Sequence, residues 1–288
     1  MGTVTLVRRE RPASSPRAVA LHVHGRNDYF FQEHLAAAFE SHGYVFLAVD
    51  MRRAGRSLRD GELPHHITDI SELGHDITTA VTAVSEMHPH LPVVVHAHST
   101  GGLAAAVWAA KGGHPSLAAL VLNSPLFGVP MNWQVRLGML AAPAVARLKS
   151  TVVVSNDGST YAYHQHRDNG GRWEFDTAWK NPEGEPVTAG WISAVTGARR
   201  HLRPGATFPC PVLIAHSDAT GPDSSANPHL DSQDTVVDVQ AIKRVSAGLQ
   251  GVTMLEVRGG VHDLSLSAPG PREEYFSTMF DWLEEVTT

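Results

Sequence analysis

The sequence predicts an α/β domain with a mainly parallel sheet flanked by helices and interrupted by an inserted cap segment. Three observations favour this class. Short apolar runs alternate with longer stretches of helical period, the apolar runs are continuous, and one stretch in the middle of the chain breaks the rhythm. Alternating strand and helix signals are typical of βαβ units. Continuous apolar runs are typical of parallel strands, because such strands are covered on both faces.

The first part of the chain contains four predicted strands and three predicted helices. The strands are AVALHVHG (18–25), YVFLAVD (44–50), PVVVHAH (92–98) and LAALVLNSP (117–125). The helices are FFQEHLAAAFESHG (30–43), DISELGHDITTAVTAVSEMH (69–88) and TGGLAAAVWAAKGG (100–113). The first and last helices close on glycine, which is a common way for a helix to end. We therefore expect residues 1–125 to form the first part of the core.

The rhythm is lost over residues 126–205, which are polar, aromatic and rich in turn formers. We predict a cap or lid insertion here, over the carboxyl ends of the strands, where open α/β sheets bind ligands. Its aromatic side chains would either line an acyl pocket or hold the cap together. Residues 206–288 complete the core with four further segments: PVLIAHSD (211–218), DTVVDVQAIKRVSAGL (234–249), GVTMLEVRGGVHD (251–263) and REEYFSTMFDWLEEV (272–286).

Composition limits the partners of this chain. The formal charge of −6 without a run of like charges argues against nucleic acid and anionic membrane surfaces as partners. No window approaches the roughly 18 apolar residues of a membrane span, so we expect no stable membrane insertion. Cys210 is the only cysteine, and the start of the sequence has no apolar stretch for a secretory signal, so we expect a cytoplasmic protein. Assembly into a homo-oligomer stays open.

A possible nucleophile stands in HAHSTGG (96–102), which follows an apolar run and precedes a helical stretch. A serine at such a strand-to-helix turn exposes its hydroxyl at the carboxyl edge of the sheet, and the next backbone amide points toward an oxyanion formed on it. The turn needs small residues on both sides of Ser99, because strand and helix nearly touch. Ala97 and Gly101 occupy those places. The alternative role for Ser99 is a helix N-cap.

The chain resembles the α/β-hydrolase family, in particular the branch of monoacylglycerol lipases, lysophospholipase-like enzymes and related esterases. Four motifs carry the resemblance. LHVHGRND (21–28) looks like the oxyanion loop, and VDMRRAGRS (49–57) looks like the family's Asp-x-Arg-x-x-Gly-x-Ser segment. HAHSTGG looks like the nucleophile elbow with alanine in place of its first glycine, and GGVHDLSLS (259–267) looks like the loop of the catalytic histidine. The resemblance implies an α/β-hydrolase fold.

The resemblance also implies a catalytic triad and an oxyanion hole. Ser99 would be the nucleophile and His262 the base, and the backbone amides of Arg26 and Thr100 would form the oxyanion hole. The family places its acid after the penultimate core strand. DTVVDV resembles the acid loop and favours Asp234, whereas Asp218 directly after the strand is the alternative. Either choice gives the order Ser, Asp, His that α/β-hydrolases use.

The histidine pairs HVH (22–24) and HAH (96–98) each place two imidazoles on one side of a strand, as a metal site would require. No neighbouring Asp-His run supplies a third ligand, so we expect no metal and no cofactor. We expect His24 and His98 to orient the oxyanion loop and the elbow. His22, His96 and His216 are expected to belong to the core or to its border with the site.

The expected function is therefore a serine esterase that cleaves a carboxylic ester with a neutral or lipid-like acyl group through an acyl-enzyme on Ser99. Its expected partner is a small-molecule ester. One alternative keeps the triad but performs acyl transfer, amide hydrolysis or other biosynthetic acyl chemistry. The other is a non-catalytic binding protein on a hydrolase fold. The acyl chain and the leaving group stay open.

Overall fold

A central sheet of seven strands organises the computed structural model, which describes residues 2–9, 15–130, 133–156 and 158–287. Its strands lie in the order β1-β3-β2-β4-β5-β8-β9. In chain order they are β1 Thr5–Arg8, β2 Ala18–Val23, β3 Tyr44–Asp50, β4 Val93–His98, β5 Leu117–Asn123, β8 Val212–Ser217 and β9 Val252–Val257. Two short strands, β6 Val153–Ser155 and β7 Val187–Thr188, form a separate antiparallel pair.

Eight α-helices connect or cover these strands in the described part of the chain. They are α1 Glu33–Ser41, α2 Ser71–Met87, α3 Ser99–Ala110, α4 Trp133–Lys149, α5 Thr160–Gln165, α6 Ala189–Ala198, α7 Val239–Ser246 and α8 Pro269–Thr287. None of the described helices is long and apolar enough to cross a membrane.

Every strand pair of the large sheet is parallel except β1 with β3. Helices cover both faces, with α2 and α3 in one apolar core and α1 and α8 in the other. Every residue of β2, β4 and β8 is buried, which explains why these strands read as continuous apolar runs. The predicted α/β fold class, with its mainly parallel sheet, is confirmed.

The segment between β5 and β8 contains regular structure that the sequence patterns did not indicate. It includes α4, α5 and α6, with α4 packed against α6. The division into a core of residues 1–125 and 206–288 and a cap of residues 126–205 stays a prediction. Residues 1, 10–14 and 288 of that core, and residues 131, 132 and 157 of that cap, lie outside the described residues.

Candidate active site

Ser99 lies at the turn between β4 and α3. Its φ of 53° is in the left-handed region, which is unfavourable for a residue other than glycine. The segment around His24, which leads into the predicted oxyanion donor Arg26, passes very close to this turn. A Cβ atom on Gly101 would lie only 2.2 Å from the carbonyl oxygen of His24. Gly101 therefore permits a close approach that any side chain would prevent.

Two hydrogen bonds join the side chains of Ser99, His262 and Asp234. The distance from His262 Nε2 to Ser99 Oγ is 2.9 Å, and the distance from His262 Nδ1 to Asp234 Oδ2 is also 2.9 Å. An ionised carboxylate only accepts hydrogen bonds. Nδ1 therefore donates to Asp234, and Nε2 is left to accept the hydroxyl proton of Ser99.

Asp234 is held rigidly in this arrangement. It is fully buried, and its second carboxylate oxygen accepts hydrogen bonds from the amides of Val236 and Val237, each at 2.8 Å. Asp218 lies elsewhere, at the end of β8, where its carboxylate accepts from the amide of Gly259 at 2.9 Å. The fold thus brings Asp234, and not Asp218, to the ring of His262.

Arg26 and Thr100 border the same cavity as Ser99. Thr100 stands in the first turn of α3, where backbone amides have no partner within the helix. The guanidinium of Arg26 donates to the carbonyl oxygens of Glu185 and Pro186 at 2.6 and 2.7 Å. Burial lowers the pKa of Arg26 to about 10, with the carboxylate of Glu185 acting in the opposite direction. The Arg26 side chain therefore attaches its segment to the stretch between β5 and β8.

His24 and His98 lie where they contact the oxyanion segment and the elbow. The ring of His24 accepts from the amide of Met51 at 3.0 Å and donates to the carbonyl of Gly25 at 2.7 Å. The ring of His98 lies 4.7 Å from that of His262 and is hydrogen-bonded to the carbonyl of Asn123. Burial lowers the pKa of His98, so its ring is neutral near pH 7.

His22 and His96 form a buried pair with 2.9 Å between their Nδ1 atoms, and His96 Nε2 lies 2.8 Å from the hydroxyl of Tyr275. Burial lowers the pKa of His22 to about 3 and the pKa of His96 well below its usual value. Both rings are therefore neutral core groups. His216 is also buried and contacts the carbonyl of Ser217.

Three acidic and histidine side chains beside the triad come close enough to hold a cation. The candidate ligand atoms of Asp28, His98 and Asp263 lie within 4.8 Å of one another. Asp28 is already paired with the ammonium of Lys180 at 3.0 Å, and Asp263 accepts from Ser265. We assign no metal to these residues, because the protein's own donors satisfy the carboxylates.

Asp263, which follows His262 directly in the chain, is a buried carboxylate. Burial by itself would raise its pKa, but hydrogen bonds from Ser265 and Asn123 stabilise the ionised carboxylate and the pKa lies below its usual range. Its backbone amide donates to the hydroxyl of Tyr161 at 2.9 Å. Asp263 therefore remains ionised and fixes the loop that carries His262.

The cavity above Ser99 has a volume of about 280 Å³ and a lining rich in polar groups. A second, more apolar cavity of about 390 Å³ lies between α4 and α6 and shares three lining residues with the first. These shared residues are Val129, Val187 and Trp191. An apolar compartment therefore lies next to the polar one that contains the serine, with these three side chains between them.

The aromatic side chains of the inserted segment divide between the two expected uses. Tyr161 and Trp191 line the cavity of Ser99. Trp173 instead donates to the carbonyl of Leu266, and Trp179 packs against Tyr29 with 5.2 Å between ring centroids. Trp173 and Trp179 therefore attach the segment between β5 and β8 to residues before β3 and after β9.

Sequence reasoning did not find Asp28 or Lys180 as parts of the site. Asp28 stands in the quoted motif LHVHGRND, two positions after Arg26, which was its only sequence signal. Lys180 carried no such signal, since its partner lies 152 positions away in the chain. Both side chains border the cavity of Ser99 and are buried.

Comparisons with known proteins agree with this fold. A family model described as "Serine aminopeptidase, S33" matches residues 14–227, which include Arg26, Ser99 and Thr100 and end before Asp234 and His262. A curated monoacylglycerol lipase from Mycolicibacterium smegmatis is 34% identical over 116 residues, a match that spans 40% of each chain. The chain therefore spans less than half the length of this relative.

Two solved structures cover nearly the whole chain. The monoacylglycerol lipase of Paleococcus ferrophilus has a TM-score of 0.73 at 16% identity, covering 98% of this chain and 99% of the other. A soluble variant of monoglyceride lipase from Saccharomyces cerevisiae, in complex with a substrate analog, has a TM-score of 0.72 at 16% identity, with coverages of 99% and 92%. The resemblance to the α/β-hydrolase family is confirmed. The chain belongs to the hydrolase family described as serine aminopeptidase, S33, and has the α/β-hydrolase fold.

Proposed function

We propose that this chain is a serine hydrolase that cleaves carboxylic esters through an acyl-enzyme on Ser99. The observation that carries the proposal is the pair of 2.9 Å hydrogen bonds that joins Ser99 to His262 and His262 to Asp234. This is the relation between nucleophile, base and orienting acid that activates a serine hydroxyl. A serine that served only as a helix cap would not require it.

In this mechanism, Ser99 Oγ attacks the ester carbonyl while His262 Nε2 takes the hydroxyl proton. Asp234 holds the ring in the correct tautomer and stabilises the imidazolium that forms. The backbone amides of Arg26 and Thr100 stabilise the oxyanion, and His262 then protonates the departing alcohol. A water molecule, activated by the same imidazole, finally releases the acid and restores the serine.

We further propose a neutral or lipid-like acyl group as the substrate's acid part, with residues 126–205 as the cap that encloses it. The apolar cavity between α4 and α6 supports this assignment, because it adjoins the cavity of Ser99 and shares Val129, Val187 and Trp191 with it. The alcohol part of the ester would face the polar lining, which includes Asn27 and Asp223. The relatives named as monoacylglycerol lipases agree with a substrate of this kind.

A second candidate activity is amide hydrolysis on the same triad. It is favoured by the description of the matching family as serine aminopeptidase. An ester and an amide with the same acyl group separate the two candidates, since only an amidase also cleaves the less reactive amide at a measurable rate. Added alcohol or amine acceptors reveal acyl transfer through new products.

The direct test is Ser99→Ala assayed with p-nitrophenyl esters of increasing acyl length. We expect hydrolysis to fall by a factor of about 10⁴ or more, because triad members act as a unit. Ser225→Ala is the matched control, since this serine is exposed in the loop before the acid. Unchanged turnover by folded Ser99→Ala would refute the proposal, and a binding protein without catalysis would then be favoured.

A further inference from the structure

The loop that supplies the Arg26 amide is attached to one stretch of the inserted segment. We name residues 26–29 the oxyanion loop and residues 176–186 the strap. Every residue of the oxyanion loop has a hydrogen bond to the strap. The bonds are Arg26 Nη2 to Glu185 O (2.6 Å) and Pro186 O (2.7 Å), Asn27 Nδ2 to Asn181 O (2.8 Å), Asn181 N to Asn27 Oδ1 (2.9 Å), Lys180 Nζ to Asp28 Oδ1 (3.0 Å) and Asp176 N to Tyr29 Oη (2.7 Å).

Asn27 has a strained backbone directly beside the oxyanion donor. Its φ of 51° is left-handed, a conformation that asparagine tolerates better than most residues but that is still less favourable than for glycine. The strap stabilises this conformation, because the side-chain amide of Asn27 forms two hydrogen bonds with the backbone of Asn181. The conformation of the oxyanion loop is therefore set from outside the core.

The ion pair of Asp28 and Lys180 fixes the same loop one residue further along. Asp28 is 2% exposed and Lys180 is 5% exposed, so both charges have lost their water. The ammonium also lies over the rings of Phe31 and Phe175, at 5.1 and 5.4 Å from their centroids. A buried charge requires its partner, since separating the pair leaves one charge without compensation. The pair thus holds Lys180 of the strap against Asp28 of the loop.

We propose that the strap is a positioning element for the oxyanion hole, with Asn27 and Lys180 as positioning residues for the Arg26 amide. The proposal rests on the proposed serine hydrolase function. One donor of the hole, Thr100, belongs to the core helix α3, whereas the placement of the other depends on the inserted segment. Contacts that matter only when charge develops on the carbonyl oxygen affect transition-state binding and leave ground-state binding alone. The strap should therefore control kcat.

Asn27→Gly tests this directly, because glycine accepts a left-handed φ while both hydrogen bonds to the strap are lost. Removing one donor of an oxyanion hole lowers kcat by about 100- to 1,000-fold. A misplaced donor keeps part of that effect, so we expect kcat to fall roughly tenfold or more while KM changes less than about twofold. The inhibition constant of a boronic acid transition-state analogue should rise by the same factor as kcat falls.

A second substitution tests the ion pair. Lys180→Met alone would leave Asp28 buried and uncompensated, so it is combined with Asp28→Asn. As for Asn27→Gly, we expect the double variant to have a lower kcat, a higher inhibition constant for the boronic acid and a nearly constant KM. Arg167→Met is the control, since it breaks the exposed ion pair with Glu174 in the same inserted segment and should change neither constant.

The outcomes separate this proposal from the proposed function. If the wild-type protein hydrolyses esters and Asn27→Gly keeps both kcat and boronate affinity, the strap does not position the hole and the inference is overturned. A lower melting temperature with unchanged kcat also overturns it, because that result describes a purely structural contact. A wild-type protein that neither hydrolyses esters nor reacts at Ser99 refutes the serine hydrolase itself.

Discussion

The close approach of Gly101 to the oxyanion segment leads to a prediction with a geometric magnitude. In Gly101→Ala the new methyl group would lie 2.2 Å from the carbonyl oxygen of His24, and 3.1 Å from Cγ1 of Val23. Contacts below 3.0 Å essentially do not occur for real Cβ atoms, so one backbone must move by at least about 0.8 Å. His24 stands two positions before Arg26, and the displacement therefore reaches the oxyanion donor.

A displacement of about 1 Å within a catalytic arrangement can cost roughly 100-fold in rate. We expect kcat/KM of Gly101→Ala to fall by about that factor, measured by steady-state hydrolysis of p-nitrophenyl butyrate. Circular dichroism and the melting temperature establish that the variant is folded.

Alanine substitutions at Gly74 and Gly102 serve as controls, because the added methyl group would make less severe contacts at these positions than at Gly101. In Gly74→Ala the methyl group would meet Cβ of Trp108 at 3.8 Å, an ordinary contact, so activity should stay at the wild-type level. Gly102→Ala meets its nearest atoms at 3.2 Å and should lie between the two. A folded Gly101→Ala variant with wild-type kcat/KM would refute the reasoning, since the oxyanion segment would then tolerate the displacement.

Three further predictions follow from the site and the core. Asp234→Asn should lower kcat for esters by about 10⁴-fold, whereas Asp218→Asn, whose carboxylate only accepts from Gly259, should keep most of the activity; the reverse result would exchange their roles. The buried ring of His22, with its pKa lowered to about 3, stays neutral in the folded state, so between pH 6.5 and 3 only the unfolded state takes up this proton. The free energy of unfolding should therefore fall with decreasing pH by about 1.4 kcal/mol per pH unit from this group. Urea titrations at several pH values check this, and a His22→Leu variant whose unfolding free energy depends on pH as strongly as that of the wild type would contradict it. Ile192→Trp, which fills the apolar cavity, should lower kcat/KM for an octanoate ester roughly tenfold more than for an acetate ester, since each buried CH₂ contributes about 0.8 kcal/mol; an equal effect on both esters would place the acyl chain elsewhere.

The strands of the core were predictable because burial on both faces imposes continuous apolar runs. The predicted strand at 44–50 coincides with β3, and the one at 92–98 begins one residue before β4. The edge strand β1 was missed, since the four residues TLVR are too few to show a period and are only partly buried. Helix α4 was missed as well, because it contains Pro143, which argues against a helix when only the sequence is read.

Parts of the site were predictable where chemistry depends on local sequence. The elbow around Ser99 combines a strand, small residues and a helix within a few positions. Asp234 was favoured over Asp218 only through the resemblance of DTVVDV to the family's acid loop, because both residues follow β8 and the path of the loop decides which one reaches His262. The contacts between the strap and the oxyanion loop could not be predicted either. They join positions more than 140 residues apart, and no sequence period indicates such a pairing.

The central claim is that Ser99 is a nucleophile activated by His262. The most direct measurement is reaction of the purified protein with a fluorophosphonate probe, followed by peptide mass spectrometry to locate the adduct. The account predicts one adduct, on Ser99, and a labelling rate that falls sharply in His262→Ala. A folded protein that takes up no probe, or one whose labelling at Ser99 is unaffected by loss of the imidazole, would contradict it.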